Sequence, residues 1–312
     1  MKQNNIDLSL LRTYCINERL SKASLQDAGR PHIRGASFKE FVDSMPNFLA
    51  SKDLKLFVQE IIKARQGNKT IILAMGAHPI KVGLSPIIID LIEKGVITAF
   101  ASNGASIIHD FEIAYQGATS EDVAKELDSG LFGMARQTTQ FLNEAINNGV
   151  ARGVGIGTAI GEFIAKSDFK YKDKSIFAIC FKKAIPATVH VAIGADIIHM
   201  HPEAKGASIG EGSMRDFRLF TEVVSGLEGG VLINLGSAVI MPEIFLKALN
   251  IVRNLGFKAN DFTTANFDFI QHYRPTVNIL KRPTQLGGRH FAFTGHHEIM
   301  FPLLSAMILE NL

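Results

Sequence analysis

Ten histidines in a chain of 312 residues are the first chemical signal, because most of them fall near the ends of short apolar runs. His78, His109, His190, His199, His201, His272, His290, His296 and His297 are placed in this way. His199 and His201 stand two apart in a run that predicts a strand, so their side chains are expected on one face, as a pair of metal ligands would be. With His297, and with His78 and His296 beside them, they form a candidate zinc set, with Glu298 or Glu211 as base. Neutral imidazoles suit zinc, which acidifies a bound water enough for hydrolysis near neutral pH. The same residues have a reading without metal, since histidine serves as a general base or binds an anionic group in this pH range. Lysine chemistry is a further option. Lys281, in Ile279-Leu-Lys281-Arg282-Pro283, follows a mostly apolar stretch, and a desolvated lysine forms a Schiff base.

Small turns form the other constellation: Gly76-Ala-His78-Pro79, Ser102-Asn103-Gly104-Ala105, Gly194-Ala-Asp196, Gly236-Ser237-Ala238, Asn266-Phe-Asp268 and Gly295-His296-His297-Glu298. Glycine there lets backbone approach a phosphate or dinucleotide closely. A tight strand-to-helix turn needs glycine whether or not it binds a ligand, so it is the recurrence of such turns that points to a nucleotide. Gly153-Val-Gly155-Ile-Gly157-Thr-Ala-Ile-Gly161 offers no G-x-G-x-x-G register, because Ile160 stands where the last glycine is required. It reads as close packing or a flexible connection.

These turns need elements to hold them. Helical spacing of apolar residues predicts a helix from Ser37, carrying Phe38, Phe41, Val42 and Met45, and another over 54–64. The period then changes: Thr70 to Met75 is a short apolar run suited to a strand buried on both faces. Helix follows over 84–94 with Gly95 as its stop, then strand over 96–101, a turn at 102–105, and helices from Ile107 to Tyr115, over 120–127 and over 130–147. The run 175–180 fits either strand or helix. Further strands are expected at 187–192, 197–201, 230–235, 262–266 and 290–294, with helices at 217–224, 242–255 and 298–309. Short apolar strands alternating with helices predict an α/β fold, a doubly wound, mostly parallel sheet with helices on both faces. In such a sheet ligands bind outside the carboxyl ends of the strands. Residues 1–35 are polar and turn-rich and read as an N-terminal arm with a short helix, able to cover a neighbouring subunit; residues 36–312 read as a single α/β domain.

Composition narrows the function classes. The chain is 46% apolar and 20% charged, which provides for a large core and leaves little for disordered tails. Thirty-three Lys and Arg against thirty Asp and Glu give a formal +3 without a run of like charge, so no nucleic-acid partner is expected. No apolar stretch approaches the roughly 18 residues of a membrane span, and the opening Met-Lys-Gln-Asn-Asn has no apolar signal region. Two widely spaced cysteines, Cys15 and Cys180, fit a reducing cytoplasm.

Several stretches together resemble the deoxyhypusine synthase family. They are Ile33-Arg-Gly35 with Phe38, Gly83-Leu84 leading into Val96 to Ala105, Ile185-Pro186, Gly194-Ala-Asp196-Ile-Ile-His199, Gly230 to Gly236, Thr264 to Asp268 and Phe301-Pro-Leu-Leu304. They run in the family's order from about residue 33 to 310. The resemblance implies a Rossmann-like NAD-binding fold, a homotetramer binding NAD at subunit interfaces, a small amine such as spermidine as substrate, and aminobutyl transfer through an imine on a lysine. By position it makes Ser102, Asn103, Gly104, Gly236 and Ser237 cofactor contacts, with His78 and His296 in place of a cofactor-contacting asparagine and aspartate. Asp196 matches an acid that holds the substrate amine and Asp268 the acidic end of its segment. Lys281 falls near the catalytic lysine, allowing for a two-residue insertion.

The chain departs from the family in its amine pocket. Asn278-Ile-Leu-Lys281 replaces a Ser-Trp-Gly-Lys surround, Val191 replaces a second aspartate, and Pro242 replaces a substrate-holding histidine, leaving Glu243 beside it as the candidate polar contact. Three functions follow as expectations: an NAD-dependent transferase acting on an amine through Lys281, a zinc-dependent enzyme using the histidines on the same scaffold, and a ligand-binding paralogue without catalysis.

Overall fold

The computed structural model describes residues 6–312, and the opening Met-Lys-Gln-Asn-Asn lies outside them. The chain divides into two units between Lys52 and Asp53. In the first, residues 8–10, 16–18 and 25–27 form single 3-10 turns, and α1 (Phe38–Ser44) follows. Ser37 and Glu40 close a reciprocal capping box that starts α1. None of the described residues of this unit is buried.

Helix α2 (Leu49–Gln66) leads into β1 (Ile71–Met75), in which all five residues are buried. Next come α3 (His78–Lys81), α4 (Ser85–Glu93), β2 (Ala99–Asn103), α5 (Gly104–Gln116), α6 (Val123–Asp128), α7 (Arg136–Ala151), α8 (Ile156–Lys166), α9 (Ile176–Lys182) and β3 (Ala187–His190). After a 3-10 turn at Ile197–Met200, the chain continues through α10 (Gly206–Ser225), β4 (Val231–Leu235), α11 (Ile240–Asn254) and β5 (Thr263–Asp268). A short α12 (Tyr273–Pro275) runs on into a π-helical turn, Thr276–Lys281, before β6 (Arg289–Thr294) and α13 (His297–Leu309).

The six strands form one sheet in the order β3-β2-β1-β4-β5-β6, and every pairing is parallel. This is the doubly wound α/β fold that the alternating periods predict, with the Rossmann-type strand order. The order reverses between β1 and β4, whose residues Ile71 to Met75 pair with Val231 to Leu235. One face of the sheet, through Ile72, Ala74 and Leu232, packs on Phe220 and Val224 of α10 and Phe245, Leu249 and Val252 of α11. On the other, Phe57 of α2 meets Phe267, Phe291 and Phe293 at ring separations of 5.5–5.9 Å. Both faces of the central strands are covered, which is why their sequences lack alternation.

Some elements differ from expectation for local reasons. Val96 and Ile97 both donate to the Leu91 carbonyl, so the sheet ladder starts at Thr98 and β2 lies over 99–103. Ser102 and Asn103 therefore end the strand, and no turn separates them from α5. Residues 197–201 do not form a strand. The His199 side chain accepts hydrogen bonds through Nδ1 from the Gly194 and Asp196 amides and closes a local turn in competition with the sheet. The ambiguous run 175–180 is helical because the buried Asp110 carboxylate accepts from the Ser175 hydroxyl and from the Ile176 and Phe177 amides at its start. The glycines at 157 and 161 serve close packing: a Cβ at either would lie 2.0–2.5 Å from a backbone carbonyl oxygen, of Ala187 or Phe177.

Candidate functional site

Parallel strands with return helices direct every strand-to-helix turn to one edge of the sheet, and the order reverses between β1 and β4, the place where open α/β sheets have their ligand crevice. Gly76 follows β1 and Gly236 follows β4. A Cβ on Gly76 would lie 2.7 Å from the Gly236 carbonyl oxygen, so the two turns pass each other with no room for a side chain. Gly236 has φ +67, and a Cβ there would lie 2.5 Å from Cε1 of His297. Both positions require glycine.

His297 opens α13 from beneath this crossing and is 1% exposed. Its Nε2 lies 3.3 Å from the Phe267 carbonyl and 3.9 Å from Asp268 Oδ1, which makes Nε2 the protonated nitrogen. Nδ1 is then an acceptor, and it is buried without a partner. Burial, outweighing the pull of Asp268 and the Phe267 carbonyl, holds this imidazole below its usual range, so the ring is neutral near pH 7. His78, the first residue of α3, stands 5.6 Å from it ring to ring, and Phe269 5.9 Å. The exposed His296 ring stacks on Phe269 at 6.3 Å. Asp268 is 3% exposed and accepts from the Phe269 amide. Ser237 is buried, with its hydroxyl accepting from the Met241 amide to hold the start of α11.

A second group forms at the ends of β2 and β3. Asn103 Oδ1 accepts from the Ser106 amide at 3.2 Å and caps α5, while the fully buried Ser102 donates to the Met75 carbonyl at 2.8 Å and lies against the Ser106 hydroxyl. Both side chains brace the sheet edge. Asp196 covers Gly104: a Cβ there would lie 2.0 Å from its Oδ2. The Asp196 carboxyl is 8% exposed, and burial raises its pKa to about 6. His199 Nε2 is 3.9 Å from Asp196 Oδ2 and has no hydrogen-bond partner.

The remaining expected site residues lie elsewhere. Lys281 closes the π-helical turn that returns from β5 to the start of β6. Thr284 just beyond it bonds the Leu280 carbonyl and His290 Nδ1, and Arg253 at the end of α11 donates to the carbonyls of Pro283 and Ala259. Lys281 is therefore exposed at the amino edge, a strand length of five to six residues from the crevice, and within one chain it does not meet Asp196, Asp268 or His297. Glu243 is held in ion pairs with Lys247 and Arg274 and accepts from Asn278 Nδ2 at 3.0 Å; these partners, Lys247 foremost, keep its carboxyl below the usual range. The zinc set does not assemble. His199 and His201 lie in a local turn with His201 Nε2 3.2 Å from the Gly133 carbonyl, and His297 belongs to the crevice. Among the described residues no three His, Cys, Asp or Glu side chains converge to hold a metal ion.

Two features were given no role in the sequence, and Asn266-Phe-Asp268, expected as a turn, lies within β5. Asn234 and Asn266 occupy one register position in β4 and β5, joined by a 2.6 Å hydrogen bond, and Asn266 continues to Gln271, which donates to the Phe293 carbonyl. Asn234 Oδ1 is a buried acceptor without a partner below the crevice. An amide inside a strand with no exposed residue was the available signal. The other is a cavity of about 220 Å³ along α5, lined by Lys81, His109, Glu112, Glu121 and Asp196 among others. Its residues come from five separate stretches of chain. No helix among the described residues is long and apolar enough to cross a membrane.

No protein-family model and no curated protein matches the chain. Among solved structures it is similar to a protein from Entamoeba histolytica provisionally described as a deoxyhypusine synthase, with a TM-score of 0.56 and 16% identity over 90% of this chain and 96% of that one. It is also similar to ArgZ, an arginine dihydrolase from the ornithine-ammonia cycle in cyanobacteria, with a TM-score of 0.55 and 15% identity over 85% of this chain. AgrE, solved in a ternary complex with ornithine and NAD+, gives a TM-score of 0.52 and 16% identity over 84%. The chain spans about a third of the length of ArgZ and AgrE, 34% in each case. At these identities the likeness establishes the fold.

Proposed function

We propose that this chain is an NAD-dependent enzyme acting on a small cationic amine, with the dinucleotide across the β1/β4 crevice and the amine on Asp196. The observation that carries the dinucleotide half is the strand-order reversal, where the Gly76 and Gly236 turns pass each other over a buried, unpartnered His297 Nδ1. The orphaned acceptors His297 Nδ1 and Asn234 Oδ1 suit a ligand rich in donors, such as ribose hydroxyls and a carboxamide. His78 and His296 on the rim add imidazole donors. AgrE, a structure of the same fold, holds NAD+ and ornithine, which favours this class of ligand. The deoxyhypusine-type transfer to a lysine is not carried into the proposal, because Lys281 lies at the opposite edge of the sheet within one chain.

NAD+, when bound, supplies a hydride acceptor. The chain does the rest. Asp196, unneutralised by any side-chain hydrogen bond, holds the ammonium; its covered position over Gly104 keeps water from competing. His297 Nδ1 accepts a hydrogen bond from the dinucleotide, with Phe267 and Asp268 holding Nε2–H and so the ring's orientation. Equilibrium dialysis and a 340 nm absorbance assay test the reading. NAD+ is expected to bind below about 1 mM, and absorbance to rise on adding spermidine, putrescine or ornithine. Folded protein that retains neither NAD+ nor NADH at that concentration overturns it. The homotetramer that the resemblance implies is proposed on the same footing, with sedimentation velocity as its check.

A further inference from the structure

The cavity along α5 has chemistry of its own. Ala105, Ile108, His109 and Glu112 line it at helical spacing, and Lys81 of α3, Glu121 and Asp196 supply the rest of its charge. At about 220 Å³ it is smaller than the roughly 300–1,000 Å³ of drug-sized ligand sites, and a dinucleotide cannot enter it. Two of its three acids are occupied. Glu112 accepts from the Thr119 and Thr138 hydroxyls through separate oxygens, and Glu121 accepts from the Gly133 amide. Asp196 differs: it is more than nine-tenths buried, and the side chain nearest its carboxylate is His199, whose Nε2 stands 3.9 Å from Oδ2, beyond hydrogen-bond length and with burial lowering its pKa. A buried unpaired carboxylate is costly unless a cation joins it. Lys81, at an exposed position on the cavity's rim, enters no ion pair among the described residues. Burial, with the Lys81 charge adding, holds His109 below its usual range against the pull of Glu112, so the imidazole is neutral near pH 7.

A buried carboxylate with no cation on it and an exposed ammonium with no anion on it, lining one small cavity, suit a ligand that carries both charges. We propose that the cavity binds an α-amino acid with a cationic side chain, its carboxylate on Lys81 and an ammonium on Asp196. The formal charge of the lining, one lysine against three acids, is −2, which favours such an amino acid over one with a neutral side chain. The proposal rests on the amine reading of Asp196 and is independent of the dinucleotide.

Matched pairs that differ only by the carboxylate test it: lysine against cadaverine and ornithine against putrescine, titrated calorimetrically without NAD+. The wild-type chain is expected to bind each amino acid at least about tenfold more tightly than its diamine, although the diamine carries the greater positive charge. Lys81→Met, at an exposed position, should abolish that preference by weakening the amino acids, with diamine binding no weaker than in the wild-type chain. Asp196→Asn should weaken all four ligands. Equal or tighter diamine binding by wild type, a preference that survives in Lys81→Met, or no binding of any of the four overturns the proposal. Amino-acid binding in a chain that retains no NAD+ would leave it standing and remove the dinucleotide reading alone.

Discussion

Replacing Gly236 by alanine tests the geometry of the crevice, because Gly95 offers a control with the same backbone strain. Both glycines have φ +67, but a Cβ at 95 meets nothing within 4 Å, whereas one at 236 meets His297 Cε1 at 2.5 Å and Nε2 at 3.0 Å. Holding alanine in the left-handed region costs about 1–2 kcal/mol at either site. At 236 the imidazole must also move, and its bond to the Phe267 carbonyl is lost, leaving buried polar atoms unmatched for about 1–3 kcal/mol more. Gly95→Ala is therefore expected to lose about 1–2 kcal/mol and Gly236→Ala about 2–5 kcal/mol in urea unfolding. In a His297→Ala background the second figure should fall to that of Gly95→Ala, since the obstructing ring is gone. Equal losses for the two single variants, within about 0.5 kcal/mol, would mean that His297 is not fixed under the crossing. The account of the crevice would then fail. NAD+ dialysis on the same samples reports whether the displaced ring also costs cofactor affinity.

Lys281→Ala should leave NAD+ and amine titrations unchanged if one chain forms the site, because the ammonium projects from the opposite edge of the sheet; loss of either titration would require a lysine supplied across a subunit contact. Gly104→Ala has no left-handed strain but places a Cβ 2.0 Å from Asp196 Oδ2, so amine binding is expected to fall at least tenfold with NAD+ binding retained, as calorimetry would read. Asp216 is wholly buried, accepts from the Gly157 and Val189 amides, and has a carboxyl pKa pushed up by burial to about 7. The folded chain holds that proton more tightly than the unfolded one, so this group's contribution is lost as pH rises from about 4 to about 7. Asp216→Asn should flatten the fall in unfolding midpoint across that window, and an unchanged pH profile would refute the assignment. Removal of the Asp110 carboxylate in Asp110→Ala leaves the start of α9 without its acceptor and should cost about 3 kcal/mol, read in the same unfolding experiment.

The sequence by itself determined the architecture, because hydrophobic period is a local property. Runs such as Ile71 to Met75 and Val231 to Leu235, too short for helices and lacking alternation, can be satisfied only by burial on both faces, and their alternation with amphipathic stretches leads to a parallel sheet. The candidate turns at 76–78, 236–237 and 295–297 were legible for the same reason, since parallel crossovers direct every strand end to one edge. Strand order was not local. Only the packed sheet sets β4 beside β1, and so places Gly236 and His297 against Gly76 and His78 from segments some 160 to 220 positions apart. Direction of travel decided Lys281, carried by its return helix to the far edge although its sequence neighbours include Asp268. Side-chain competition decided His199, whose ring closes its own turn in place of joining a ladder. The charge pairing of the α5 cavity, with Lys81 and Asp196 left unmatched by other side chains, likewise depends on which groups their neighbours satisfy. That information exists only once the chain has folded, because a hydrogen bond is made by proximity and proximity across the sheet is not written in spacing along the chain.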